Sequence, residues 1–181
     1  MTTKPLTQIY AGVDINDNEG TTSVVAVRLL DAQTDTFECL LACSARTSDV
    51  CDTKKYFGTC MRMLGARDGA CDADAVLIHV GVDACYPFMW MHLAGMFANV
   101  CARSFTMTRP TMLKAMALAR RYHHLFPETA TLLAAECECE QRALRFPASY
   151  RPDLQNTDAC ALGIALFHCH CSTGNPILTP E

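Results

Sequence analysis

Basic charge, glycine and long apolar runs are all scarce in this chain of 181 residues. It carries 15 Lys and Arg against 19 Asp and Glu, a formal net charge of −4. That balance excludes a uniformly basic, general DNA-coating surface. The cations are also unevenly spread, with eight of the fifteen between Arg103 and Arg151 and most acids in the first hundred residues. Nine glycines are too few and too scattered for a phosphate-cradling loop; Gly58, Gly65 and Gly69 fit no nucleotide motif. No apolar run reaches the roughly 18 residues needed to cross a bilayer. The nearest, Tyr86 to Val100, is broken by His92 and Gly95, so no membrane partner is expected. Residues Met1 to Pro5 are not apolar, and neither a signal segment nor an Arg-rich transit peptide is expected.

Cysteine is abundant by contrast, at twelve residues, yet no Cys-x-x-Cys pair occurs. Cys60, Cys101 and Cys160 sit inside apolar patterns, as small core residues do. The reading is an intracellular, reducing compartment with free thiols rather than a disulfide scaffold. Cys137-Glu138-Cys139 and His168-Cys169-His170-Cys171 invite a zinc reading, but helical residues two apart point to different sides. The Met-rich segment from Met89 to Phe97 reads as core, or as a partner surface if exposed. Half the residues are apolar and 19% are charged, enough for one folded domain with a real core. No repeat, low-complexity tract or dividing linker is visible, so residues 1–181 read as a single domain with its core at about 8–171.

Residues 8–15 predict a buried strand ending in the acid Asp14. Ser23 to Leu30 and Thr36 to Cys43 follow after short turns, giving an antiparallel meander. Lys54 to Leu64 has helical apolar spacing and Gly65 as a stop. Ala75 to Val82 is a continuously apolar strand, the kind covered on both faces. A buried helix is expected over Pro87–Cys101 and a strand over Ser104–Thr108. Further helices are expected from Pro110 to about His124, from Glu128 to about Arg142, and from an Asn156 or Thr157 cap to about Cys171. The order βββ-α-β-α-β-α-α-α predicts an α/β fold: a ribonuclease H-like mixed five-stranded sheet with helices on both faces.

Four segments in that order resemble the RuvC-like Holliday junction resolvases, bacterial and poxvirus-type alike, over roughly residues 8–171. Gly12-Val13-Asp14-Ile15 resembles the family's Gly-Ile-Asp on the first strand. Ala75 to His79 resembles the strand ending Leu-Ile-Glu. Arg109 to Lys114 resembles the segment that brings a lysine to DNA. Leu154 to His170 resembles the closing catalytic helix. The resemblance implies two Mg²⁺ or Mn²⁺ ions held by carboxylates beside a scissile phosphate. Only Asp14 keeps a carboxylate at the four matched positions: His79, Thr157 and Cys160 stand at the others. Asp158, one place out of step, is the nearby helical acid; Asp17 and Asp83 are further candidates.

The candidate catalytic residues are therefore Asp14, His79 and Asp158, with Asp14 and Asp158 as metal ligands. Lys114, Arg120 and Arg121 are the candidate nucleic-acid contacts. Each has a plainer alternative: a strand-end turn acid for Asp14, a core histidine for His79, a solvated helix face for the three cations. Asp14, His79 and the Thr157–Cys160 turn are expected to converge at one end of the sheet, with the first and fourth strands adjacent. Two functions stay open. One is a catalytically degenerate homologue serving as a nucleic-acid-binding or structural subunit. The other is an active Mg- or Mn-dependent endonuclease that resolves branched DNA. Branched DNA or structured nucleic acid, a homodimer and a larger assembly are the partners these readings imply.

Overall fold

A strand that is apolar at odd and even positions alike must be covered on both faces, which puts it at the middle of a sheet. The computed structural model places residues 8–16 there. It describes residues 7–16, 20–31, 36–68, 76–83, 87–105, 109–122 and 157–173. The elements are β1 (Gln8–Asn16), β2 (Thr21–Asp31), β3 (Thr36–Arg46), α1 (Val50–Met63), β4 (Leu77–Asp83), α2 (Pro87–Leu93), β5 (Val100–Phe105), α3 (Arg109–Tyr122) and α4 (Thr157–Thr173). The strand order is β3-β2-β1-β4-β5. β1–β2 and β2–β3 are antiparallel, while β1–β4 and β4–β5 are parallel. This is the expected α/β fold, with a ribonuclease H-like mixed sheet and β1 beside β4. Parallel neighbours need a crossover. α1 returns the chain from β3 to the far side of β1, and α2 leads from β4 to β5.

The strict alternation of strand side chains sends two different sets into two cores. Ala11, Val13, Val24 and Val80 face one core with Phe57 and Met61 of α1 and Leu93 of α2. Tyr10, Val25 and Val27 face the other with Met116 of α3 and Leu162 and Leu166 of α4. α4 is apolar all round because it lies between the sheet and α3. Glycines allow both approaches. A Cβ at Gly12 would sit 2.0 Å from the Ala161 carbonyl oxygen, and one at Gly163 would sit 2.7 Å from Met116 Cε and 3.0 Å from the Ala115 carbonyl oxygen.

Several boundaries differ from the sequence reading. α1 starts at Val50, four residues before the apolar spacing begins, because Asp49 caps it and accepts a hydrogen bond from the Asp52 N–H at 2.9 Å. The helix expected to run to Cys101 stops at Leu93. Gly95 turns the chain at φ +77°, and Asn99 then pins it. Its side chain accepts from the Arg67 N–H at 2.9 Å and donates to the Gly65 and Val76 carbonyls at 3.0 and 2.8 Å. β5 therefore begins at Val100 rather than Ser104. Cys101 consequently falls on an edge strand and is exposed, not a core residue. The helix expected over 128–142 and the Asn156 cap lie outside the described residues. Among the described residues no helix is long and apolar enough to cross a membrane.

Candidate functional site

The β1–β2 hairpin fixes the centre of the candidate site by counting. Asn16 lies level with Thr21, so Asp14 lies level with Ser23. The Ser23 hydroxyl donates to Asp158 Oδ1 at 2.6 Å, tying β2 to the first turn of α4. Asp14 is 1% exposed and Ser23 is fully buried, while Asp158 is half-buried. The start of α4 is therefore tied to the residue level with Asp14, and Asp158 is the helical acid that makes the tie. On the other side of β1, Val82 of β4 is level with Val13. Asp83 is the next residue, so its backbone stands level with Asp14 at the usual strand spacing of about 4.8 Å. The Asp83 side chain, like that of Thr157, and the whole of Asp17 lie outside the described residues.

His79 does not join this group, which corrects the expected convergence. The parallel register sets it level with Tyr10, four residues from the Asp14 level, or about 13 Å along the strand. Its ring stacks on Tyr10 at 5.0 Å, and His168 of α4 meets both rings edge-on at 5.8 and 5.9 Å. Desolvation lowers the His79 pKa, with help from Arg103. Desolvation, His79 and Arg103 together lower that of His168 to about 4. Both rings are thus held neutral near pH 7 in an aromatic cluster, so the core-histidine alternative describes His79. Cys160 is fully buried in the apolar core that α4 forms with the sheet and α3.

Asp14, Ser23 and Asp158 offer hard oxygen atoms, the donor type that magnesium or manganese takes. Among the described residues no group of three or more His, Cys, Asp or Glu side chains could share an ion. Among the described residues, two carboxylates and a hydroxyl already bonded to one of them are fewer ligands than a two-metal centre takes. Nor do the residues from His168 to Cys171 form a zinc site: the first three are buried around the helix and Cys171 is exposed. Cys137 and Cys139 lie outside the described residues.

The candidate cations are not gathered at the acids. Lys114 is half-buried on α3 and lies near enough to Cys171 to favour its thiolate, against the larger, opposing effect of burial. Asp158 and Cys171 are thirteen residues apart on α4, about 20 Å at the helical rise. Lys114 thus sits towards the far end of α4 from Asp158. Arg121 is exposed and its guanidinium lies over the Tyr122 ring at 5.4 Å. The Arg120 side chain lies outside the described residues. Ser23 and Arg103 were not singled out by the sequence. Counting the hairpin outward from its turn would have found Ser23; no local signal marks Arg103, which acts across strands. No protein-family model, curated protein or solved structure matches this chain.

Proposed function

We propose that this chain is a ribonuclease H-like, resolvase-related protein that has lost metal-dependent cleavage. It serves as a nucleic-acid-binding or structural subunit, as a homodimer or within a larger assembly. The observation that carries this reading is the burial of Asp14. It is the one family-matched carboxylate, yet it is 1% exposed beneath α4. A catalytic carboxylate must reach an ion that itself touches phosphate. At the other matched positions neither side chain supplies a ligand, since His79 is stacked on Tyr10 four residues off the Asp14 level, a separation that counts against the family register, and Cys160 is fully buried.

The active-endonuclease alternative draws on one observation, the bond of Asp158 to Ser23, which lies level with Asp14, with Asp83 following Val82 in the register of β4 against β1. Branched DNA separates the two. Incubated with a four-way junction and Mg²⁺ or Mn²⁺, the protein is expected to retard the junction on a gel without cutting it, and Asp14→Asn is expected to change neither result. Cleavage by the unmodified protein that disappears in Asp14→Asn would establish the endonuclease instead. Neither retardation nor cleavage would leave the structural subunit as the surviving role.

A further inference from the structure

β3 is an edge strand, and a bulge in its pairing with β2 between Ala26 and Val27 divides its two cysteines between the two cores. Cys39 packs against the core under α3 and α4, whereas Cys43 packs against the core under α1. There Cys43 meets Cys60 of α1, with the two sulfur atoms 3.6 Å apart. Cys43 is half-buried and Cys60 is 1% exposed. Tyr56, one helical turn before Cys60, places its ring hydroxyl beside both thiols. The two sulfurs need to approach by only about 1.5 Å to reach bonding distance.

We propose that Cys43 and Cys60 form a reversible dithiol–disulfide site that hydroperoxides oxidise, with Cys43 attacking and Cys60 resolving. The Cys43 thiolate attacks a peroxide oxygen, the O–O bond breaks, and water or an alcohol leaves once its oxygen is protonated. This gives a sulfenic acid on Cys43. The Cys60 sulfur then attacks the Cys43 sulfur, loses its proton, and expels water as the S–O bond breaks. In total two thiols and one hydrogen peroxide give one disulfide and two waters. The roles follow from access, since the half-exposed sulfur meets the oxidant and the buried one meets only its neighbour. Electrostatics agree. The hydrogen bond between the thiols lowers the Cys43 pKa against the pull of burial and raises that of Cys60, and a thiolate is the reacting form. Cys39 on the same strand is pushed up to about 11 by burial and is a poor competitor. The disulfide would tie the free edge of the sheet to α1. This inference stands apart from the proposed function, because the pair lies on the opposite face of the sheet from Asp14.

The test uses the reduced full-length protein, treated with one equivalent of hydrogen peroxide in the presence of dimedone, which traps sulfenic acids. In the wild type the expected result is a mass loss of two hydrogens and a peptide cross-link joining Cys43 to Cys60, with little dimedone on Cys43. Cys60→Ser is expected to accumulate the dimedone adduct on Cys43, and Cys43→Ser to leave Cys60 reduced. Oxidation is expected to raise the midpoint of thermal unfolding by roughly 5 °C, as a short cross-linked loop should, and dithiothreitol to reverse it. The proposal is overturned if the wild type cross-links a different pair. It is overturned equally if Cys43 of the wild type carries as much dimedone as it does in Cys60→Ser. The wild-type cross-link map needs no variant, so a misfolded variant leaves the proposal testable.

Discussion

A methyl group added at Gly12 would meet backbone, not a side chain that can swing away. It would lie 2.0 Å from the Ala161 carbonyl oxygen and 2.6 Å from the Ala165 nitrogen. Gly12→Ala must therefore push α4 off the sheet, and with it the Asp158 contact to Ser23. Overpacking of this kind costs 1–3 kcal/mol where side chains can adjust and more where they cannot. We expect Gly12→Ala to lose more than about 3 kcal/mol in urea unfolding. Gly58 in α1 is the contrasting case, because its added Cβ would find Met96 Cε at 3.5 Å and the Arg62 guanidinium at 3.6 Å, ordinary contact distances. Gly58→Ala is expected to stabilise the protein by about 0.5–1 kcal/mol, the helical preference for alanine over glycine. Loss of stability at Gly58, or none at Gly12, would contradict the packing described.

At the scale of elements, α4 brings a pH-dependent contribution to stability. His168 projects from it into the cluster with Tyr10 of β1 and His79 of β4. Desolvation holds the His168 pKa at about 4 in the folded chain, against an ordinary 6.5. Between those values the unfolded chain binds the proton and the folded chain does not, so stability rises with pH across that window. The contribution is complete above about pH 6.5 and is lost as pH falls towards 4. The size of the His168 shift sets it at roughly 3 kcal/mol. His79 is shifted in the same direction and adds to the slope. Urea midpoints measured from pH 6.5 to pH 4 should fall as the pH is lowered. His168→Phe should flatten the fall; an unchanged slope in that variant would remove His168 as its source.

Over the whole molecule the two cores and the sheet edges decide which thiols meet solvent. The eight cysteines among the described residues split by position: Cys60, Cys160 and Cys169 are buried, Cys39 and Cys43 are half-buried, and Cys51, Cys101 and Cys171 are exposed. The abundance of cysteine therefore does not mean a uniformly protected set. Brief labelling of the native, reduced protein with a maleimide is expected to modify Cys51, Cys101 and Cys171 first. Cys60, Cys160 and Cys169 should react only after denaturant is added. Mass mapping of the labelled peptides checks this order, and early labelling of Cys160 would contradict the seat of α4 between the sheet and α3.

The sequence by itself determined the elements and most of their order. Apolar, β-branched runs within residues 8–15, 23–30 and 36–43, set apart by turn residues, mark three strands. The short turns between them make antiparallel neighbours, and the helix that follows makes β4 parallel to β1. Hairpin counting even contained the pairing of Asp14 with Ser23. Tertiary structure decided the rest, because the deciding contacts join residues far apart in sequence. The end of α2 depended on Asn99 bonding back to Gly65, Arg67 and Val76. The parallel register of β1 with β4 is set by packing and not by a turn, and it alone separated His79 from Asp14. The rotation of α4 on the sheet is set by Gly12 and Gly163 at its two contact surfaces. That rotation aimed Asp158 at Ser23 and sent Cys160 into the core. A one-residue reading of a helix or strand face is a matter of 100° or of opposite sides, and only the packed neighbours choose between them.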